Sequence, residues 1–349
     1  MSTRYPGGII TKTPVTPAGP NQCGAAPGIW TLDQQIQAQK LGIWPTQGTA
    51  VGTKAIFALG CTGSPFAGST TTNRYTFSGD VNAVTTSVCS AVEYGSAAGN
   101  STTGIIAHGG SAVTVTRSKY TYSGCTAASG TNASAASKEG AAAGNSTRGI
   151  FALGSAGFCI GSTIRNKYTY SGDVNAVAAS ASGCNSHFGA AVGSCSIGIF
   201  ALGAYHCPTC GCVMPQTIRN KFTYSSCTNA GATASSAASA YGSAAGNSTI
   251  GIFALGSASS CGAPSTTRNK YTYSGDTNAV ATAASAASTG GAAAGNSTIG
   301  IFALGFATAL STTRNKYTYS GCVSAAATAA SAASGIGAAA SNGTTGVNV

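Results

Sequence analysis

Residues 246–256 read GNSTIGIFALG, and residues 295–305 read the same eleven letters again. Near-copies close at Gly154 and Gly203, and weaker ones at Gly60 and Gly109. The closing glycines are 45 to 53 residues apart, a period that marks an array of like supersecondary units. A second anchor keeps step with the first: NRYTFSGD (73–80), RSKYTYSGC (117–125), IRNKYTYSGD (164–173), IRNKFTYSSC (218–227), TRNKYTYSGD (267–276) and TRNKYTYSGC (313–322). The chain therefore repeats itself six times.

Both anchors carry the two-residue alternation of a strand. In GIFALG, Phe253 and Leu255 share one face, and Ile252 and Ala254 the other. In RNKYTYSG, Asn269, Tyr271 and Tyr273 share a face opposite Arg268, Lys270 and Thr272. That reads as tyrosines inward and cations on a solvated face. SGD or SGC then turns the chain. NAVATAASAAS is rich in alanine, which favours helix, but its interleaved Val, Thr and Ser and its close flanking turns predict a strand. GAAAGNST supplies a fourth strand and a Gly-Asn turn into the next unit. One unit holds about five bulky side chains, worth roughly 1.5–3 kcal/mol each, against about 1–2 kcal/mol of backbone entropy for every residue ordered. No unit folds alone, so each must lean on its neighbours, and small Ala and Ser residues let the sheets approach.

The ends predict a closed ring. The first unit begins at TKAIFALG with little before it like GAAAGN, and the final GIGAAASNGTTGVNV supplies that missing strand. A last strand completing the first blade leaves no long sheet edge exposed. The fold expected is all-β: a six-bladed β-propeller with four-stranded blades of about 49 residues, seven blades being the alternative count. Its order of strand, variable loop, RNKYTYSG strand and GAAAGN strand resembles kelch-type β-propellers over residues 48–349. Kelch blades usually carry a double glycine after the first strand, matched here only by Gly109-Gly110, and a blade tryptophan, whereas Trp30 and Trp44 lie outside the repeats.

Length variation is confined to one place in each unit. From the strand-closing glycine to the Arg that follows, the distance runs from 8 to 16 residues; from that Arg to the next closing glycine it runs only from 35 to 38. Equivalent loops of a propeller emerge on one face, so one face is uniform and the other carries six dissimilar loops. Loops on a rigid scaffold are where binding usually resides, although drift at tolerant loop tips gives the same pattern. Phe66, Phe158, Tyr205, His206, Met214 and Phe306 are the candidate contact residues on that face.

Composition narrows the function classes. Only 7 % of the 349 residues are charged while 43 % are hydrophobic, which argues for a packed fold rather than disorder. The net charge is +11, but most of the Lys and Arg recur with the RNKYTYSG anchor instead of clustering, so no specific nucleic-acid partner is expected. No apolar run is long enough to span a membrane as a helix, and the N-terminus lacks a signal-peptide layout.

Three histidines sit in three different units, and Asp80, Asp173 and Asp276 occupy equivalent turns. No Ser-His-acid or phosphate-binding motif emerges, so neither catalysis nor a cofactor is expected. HCPTCGC offers His206, Cys207, Cys210 and Cys212 as a weak candidate zinc set; a disulfide or free thiols is the preferred reading. Interblade disulfides Cys89–Cys125 and Cys184–Cys227 are a further expectation among the 13 cysteines. NST at Asn100, Asn145, Asn247 and Asn296 fits the glycosylation pattern but is read as a hairpin turn.

Residues 1–47 form a separate arm. TKTPVTPAGP is Pro-rich and should be extended. TLDQQIQAQKLG predicts a short helix with Thr31 as cap, Asp33 in the first turn, Gly42 as stop and Leu32, Ile36 and Leu41 as a modest apolar stripe. MSTRYPGG and GIWTLDQQIQAQKLGIWP together resemble N-terminal segments of tailed-phage structural proteins. The resemblance implies a virion component made in the host cytoplasm: a tail fibre, spike or decoration protein. It would be anchored to other virion proteins through Trp30, Trp44, Leu32 and Ile36, with host-surface carbohydrate or protein as candidate ligands and a homo-oligomer as a candidate state. The other reading is a lectin-like or protein-binding propeller unconnected with viruses.

Overall fold

The computed structural model describes residues 30–40 and most of 52–349, leaving out 63–66, 111, 158–160, 179–186, 202, 207–212, 259–262, 344–346 and 349. The chain divides into two compact units, Met1–Val51 and Gly52–Val349.

In the first unit a single helix, Leu32–Lys40, is described. Thr31 and Gln34 make a reciprocal capping box: the Gln34 amide donates to Thr31 Oγ1 at 3.2 Å and the Thr31 amide to Gln34 Oε1 at 2.9 Å. Leu32 is 71 % exposed and Ile36 38 %. Leu41, Gly42 and Trp44 lie outside the described residues.

The second unit is a six-bladed propeller of four-stranded antiparallel sheets. In the fifth blade the order from axis to rim is Ser243–Gly246, Ile250–Ala254, Arg268–Thr272 and Thr277–Ala281. The first blade takes its innermost strand, Ala338–Ser341, from the far end of the repeat region, and Ala338 faces Ala58 while Ser341 faces Ala55. The ring closes there. Innermost strands such as Ala292–Gly295 are buried throughout, since six of them converge and only small side chains fit. Val347–Asn348 form a short strand pairing with Ala244 and Ala245 and lying against the innermost strands of all six blades, so the polypeptide threads its own axial channel.

The alternation reading fails for the arginines. Arg117, Arg165, Arg219, Arg268 and Arg314 are at most 1 % exposed. An open sheet has a dry face and a wet one, but both faces of a blade's middle strands are covered by neighbouring blades. Each guanidinium crosses to the next blade. Arg219 lies 4.4 Å from the Phe253 ring centroid and 5.8 Å from that of Tyr271. Its Nη1 donates to Asn278 Oδ1 at 2.7 Å and its Nη2 to Asn269 Oδ1 at 3.3 Å. The planar fork suits two amide oxygens and a ring face at once. Burial lowers its pKa to about 10, so it remains charged at neutral pH. The receiving Asn is itself a hub: Asn269 Oδ1 also accepts the Ser236 amide, and its Nδ2 donates to Ser236 Oγ, fixing the crossover between blades. That crossover is the second half of the Ala/Ser-rich segment, which leaves the outer strand after about five residues.

One interface is built differently. Thr72 stands where the other blades have Arg, and its neighbour presents Ile106 in place of Phe and Ser118 in place of Asn. Ile56, Val88, Val92, Ile106, Tyr120 and Tyr122 pack an apolar seam there. His108 Nε2 and Ser118 Oγ are 2.7 Å apart, and burial lowers the imidazole's pKa, which keeps it neutral.

The expected disulfides are not formed, because Cys89, Cys125 and Cys227 are free thiols. Cys125 and Cys227 occupy left-handed turn positions, with φ of 51° and 54°. From there each sulfur turns back onto its own turn, 3.7 Å from the carbonyl of Tyr122 and Tyr224 respectively.

Candidate functional site

The two faces of the propeller divide the labour. The uniform face holds the Asn and Asp turns, and both bind blade to blade. Asn145 Nδ2 donates to the Cys195 carbonyl of the next blade, while its Oδ1 accepts the amides of Thr147 and Arg148. Asn145 and Asn296 are buried, which leaves those side chains no room for a glycan. Asp80 accepts from Tyr75 of its own blade and the Thr328 amide of the previous one, with Lys316 Nζ at 3.5 Å. Asp276 repeats this with Tyr271, Thr233 and Lys221, and Asp173 is likewise joined by Thr131 and Lys119. The carboxylates of these three turns are clasps between blades.

The other face carries the variable loops, and their roots converge on the axis. Each innermost strand starts beside the end of its neighbour: Ser96 pairs with Ala107, two residues before Gly109. The residue before each innermost strand's glycine forms a ring about the axis: Tyr94, Glu139, Phe188, Tyr241, Gly290 and Ile336. Their backbones close a cycle of six hydrogen bonds. The amide of Tyr94 donates to Ile336 O, Ile336 to Gly290 O, Gly290 to Tyr241 O, Tyr241 to Phe188 O, Phe188 to Glu139 O, and Glu139 back to Tyr94 O, all between 2.7 and 2.9 Å. All six residues take a positive φ, from 50° to 62°. Gly242, just after the ring, is required because a Cβ there would fall 2.6 Å from the Ala254 carbonyl.

The ring floors a shallow, open dish. Phe188 and Tyr241 stack with centroids 3.9 Å apart and planes 31° apart, and Tyr94 stands 6.0 Å from Phe188. Glu139 is the acid in the floor. Its Oε2 lies 3.2 Å from Nδ1 of His187, which is 2 % exposed, and its Oε1 lies 3.6 Å from Lys138 Nζ. Lys138 Nζ also sits 5.5 Å over the Tyr94 ring. The dish thus holds an aromatic stack, with His187 also against Phe188 at 4.6 Å, and a carboxylate whose charge Lys138 offsets from beside it. It places aromatic side chains beside polar atoms on the loop face, where binding floors are built.

The loops attach to this floor through bridges such as Lys138 with Ser155, Ala240 with Ser257 and Thr289 with Phe306. Among the residues expected from sequence, Tyr205 and Met214 face each other across the hairpin Ala204–His206 and Val213–Pro215, 43 % and 42 % exposed. Phe306 is half-buried at the root of its loop. Phe66, Phe158 and the thiols of Cys207, Cys210 and Cys212 lie outside the described residues, as does the side chain of His206. Trp30 is half-buried in the first unit.

The axial ring was missed in the sequence, yet a signal for it exists. Y-GSAAG, E-GAAAG, F-GAAVG, Y-GSAAG, G-GAAAG and I-GAAAS vary at one residue before a constant glycine. A bulky, changing position inside an otherwise fixed strand entry marks a side chain freed from packing.

No family model matches the chain, and no curated protein matches it. Among solved structures, one described as "Structure of YjhT" matches with a TM-score of 0.58 and 10 % identity, over 75 % of this chain and 94 % of that chain. At that identity the likeness is one of fold alone, and it agrees with the architecture above: this chain is a six-bladed β-propeller.

Proposed function

We propose that this protein is a non-catalytic binding component of a tailed-phage virion, a tail fibre, spike or decoration protein. Its N-terminal arm anchors it to other virion proteins, and the loop face of its propeller makes host-surface or virion contacts. The observation that carries the binding reading is the division of the two faces. Asp80, Asp173 and Asp276 clasp blades on the uniform face, whereas loop variation and the aromatic dish share the other. The virion setting is supported by the resemblance of residues 1–8 and 28–45 to phage structural proteins, and by an exposed Leu32 and Ile36 on a capped helix. A lectin-like module without a virus is the second reading, favoured by a dish built wholly within the propeller.

Deleting residues 1–47 tests the first reading. A virion component loses incorporation into particles while keeping the melting transition of its propeller; unchanged incorporation refutes the anchor. Replacing the 204–218 loop by the short 110–116 type tests the face. Binding to cells or particles should fall, and intact contacts after several such exchanges would refute it.

A further inference from the structure

We propose that Cys125 is an oxidative modification site. A hydroperoxide converts it to the sulfinate, which completes between blades one and two the anion–cation clasp that an aspartate makes elsewhere. The site lies on the uniform face and is independent of the binding-face reading. Three observations carry it.

The first is the seat. The turn between the third and outer strands holds Asp80, Cys125, Asp173, Cys227, Asp276 and Cys322 in successive blades, all at φ between 51° and 55°. Thiol and carboxylate therefore leave the backbone in the same conformation. Where the residue is Asp, the seat is built for an anion. Tyr75 and Tyr271 donate to Asp80 and Asp276, and Lys316, Lys119 and Lys221 of the preceding blade stand 3.4 to 3.7 Å from the three carboxylates.

The second is uncompensated positive charge. Arg74 holds in blade one the strand position of those lysines, and its Nη1 donates to Cys125 Sγ at 3.3 Å. Lys54 Nζ donates to the Tyr122 carbonyl at 3.2 Å, and Cys125 Sγ lies 3.7 Å from the same oxygen. Among the described residues neither Arg74 nor Lys54 forms an ion pair with a carboxylate, and Arg74 Nε is buried without an acceptor. Two cations thus face a seat that a neutral thiol leaves without its anion. The other thiols are less well served. Arg148 Nη1 is 4.0 Å from Cys227 Sγ, and Ile250 stands beside Cys322 where the first blade has Lys54.

The third is the fit of reaction and product. Burial works to raise the Cys125 thiol, but Arg74, Tyr120 and Lys54 outweigh it and favour the thiolate, which is the nucleophile. The residue is only half-buried, so a small peroxide can reach the sulfur. The thiolate attacks one peroxide oxygen; the S–O bond forms as the O–O bond breaks, and the leaving hydroxide takes the proton of the new sulfenic acid to depart as water. The sulfenate repeats the step with a second peroxide. Sulfur is oxidised twice, and each peroxide is reduced to water. A sulfinate carries two oxygens on the atom bonded to Cβ, as the aspartate carboxylate does. The product therefore offers acceptors to Arg74 and Lys54 in the geometry the Asp interfaces already use. Thiol reductants do not reverse it, so the clasp once made persists.

Titration of the full chain with hydrogen peroxide, read by peptide mass spectrometry and thermal melting, tests this. Cys125 should gain two oxygen atoms at least about fivefold faster than Cys89 or Cys322. The adduct should survive dithiothreitol, and the melting temperature should rise by about 1–3 °C. Cys125→Asp should show that rise without peroxide, and Cys125→Ser should show no rise with or without it, which removes the effect of oxidation at other residues. Arg74→Gln should slow the reaction and cancel the rise. The proposal is overturned if Cys125 is not oxidised ahead of the other two, if its product is reversed by dithiothreitol, or if the oxidised protein melts no higher than the reduced one. A Cys125→Asp variant that folds but gains no stability also overturns it; should that variant fail to fold, the melting of oxidised wild-type protein against oxidised Cys125→Ser decides.

Discussion

The guanidinium of Arg314, in the last blade, lies 4.4 Å from the ring centroid of Phe57 in the first. Its Nη1 donates to Asn82 Oδ1 at 2.7 Å and its Nη2 to Asn73 Oδ1 at 3.3 Å. The same clasp joins blades two to three, three to four, four to five and five to six, with Ser324 replacing one Asn in the last of these. Closure thus uses the same bonds as internal cohesion.

Truncating one clasp should be costly. Arg219→Ala strips a buried charge-assisted fork from Asn278 and Asn269 and bares the Phe253 ring. A loss of about 3 kcal/mol is expected in urea denaturation, and Arg219→Lys should recover only part of it because an ammonium cannot span both amides. Converting the third-to-fourth interface to the Thr72 type, with Arg165→Thr, Phe200→Ile and Asn220→Ser together, should cost less than the three single changes summed. The expected coupling is at least about 1 kcal/mol.

Gly256 closes its strand at φ 71°, and a Cβ there would lie 2.3 Å from the Ala240 carbonyl. Gly256→Ala should destabilise the propeller by about 2 kcal/mol or more, since strain and the loss of the loop-root pairing add. Gly231, in an outer strand with no atom within 4 Å of its would-be Cβ, is the control. Gly231→Ala should be neutral or stabilising by about 0.4–1 kcal/mol through the unfolded chain. Paired thermal melts of the two variants check both.

Acid should loosen the uniform face first. Burial pushes the Asp80 carboxyl upward, but hydrogen bonds from Tyr75 and Thr328 and the charge of Lys316 outweigh it and hold the pKa below the usual range. Asp276 is held low by Thr233, Tyr271 and Lys221 in the same way. Each therefore binds its proton more weakly when folded than unfolded. The stability they confer is present above the unfolded value, about 3.9, and is lost as pH falls through the folded value. Melting temperature should drop on acidification below about pH 4. The Asp80→Asn/Asp276→Asn double variant should show a lower plateau and a shallower decline.

Thiol chemistry should rank the cysteines by environment. Burial beside Glu93 raises the Cys61 pKa to about 11, and that thiol should resist alkylation until the protein unfolds. Cys89 is exposed. Burial works to raise the Cys125 thiol, yet Arg74, 3.3 Å away, together with Tyr120 and Lys54 brings it below its ordinary value. Iodoacetamide at neutral pH, read by peptide mass spectrometry, should label Cys89 and Cys125 well before Cys61. Cys195 is disulfide-bonded and should label only after reduction.

The period, the four strands per unit and the closing strand were legible because packing writes strict alternation and fixed turn residues into every copy. Burial of the arginines was not, because alternation assigns faces within one sheet and is blind to a second sheet covering the wet side. The clue lay in co-variation among the repeats. Where Thr72 replaces Arg, the next blade changes Phe to Ile106 and Asn to Ser118. The loop face was legible from length, but its centre was not: Tyr94, Glu139, Phe188, Tyr241 and Ile336 lie in the steadier part of the repeat, where length hardly varies.

The Thr72 seam bears on how a closed circle of stiff joints can be assembled at all. Five couplings of defined bond length and direction fix five angular increments, and any accumulated error must be taken up by the sixth. At that joint Val88, Val92 and Ile106 put aliphatic packing where the other five place a guanidinium fork, so its angle is set by side-chain volume and by the lesser bonds of Arg74 to Cys125 and Lys54 to the Tyr122 carbonyl.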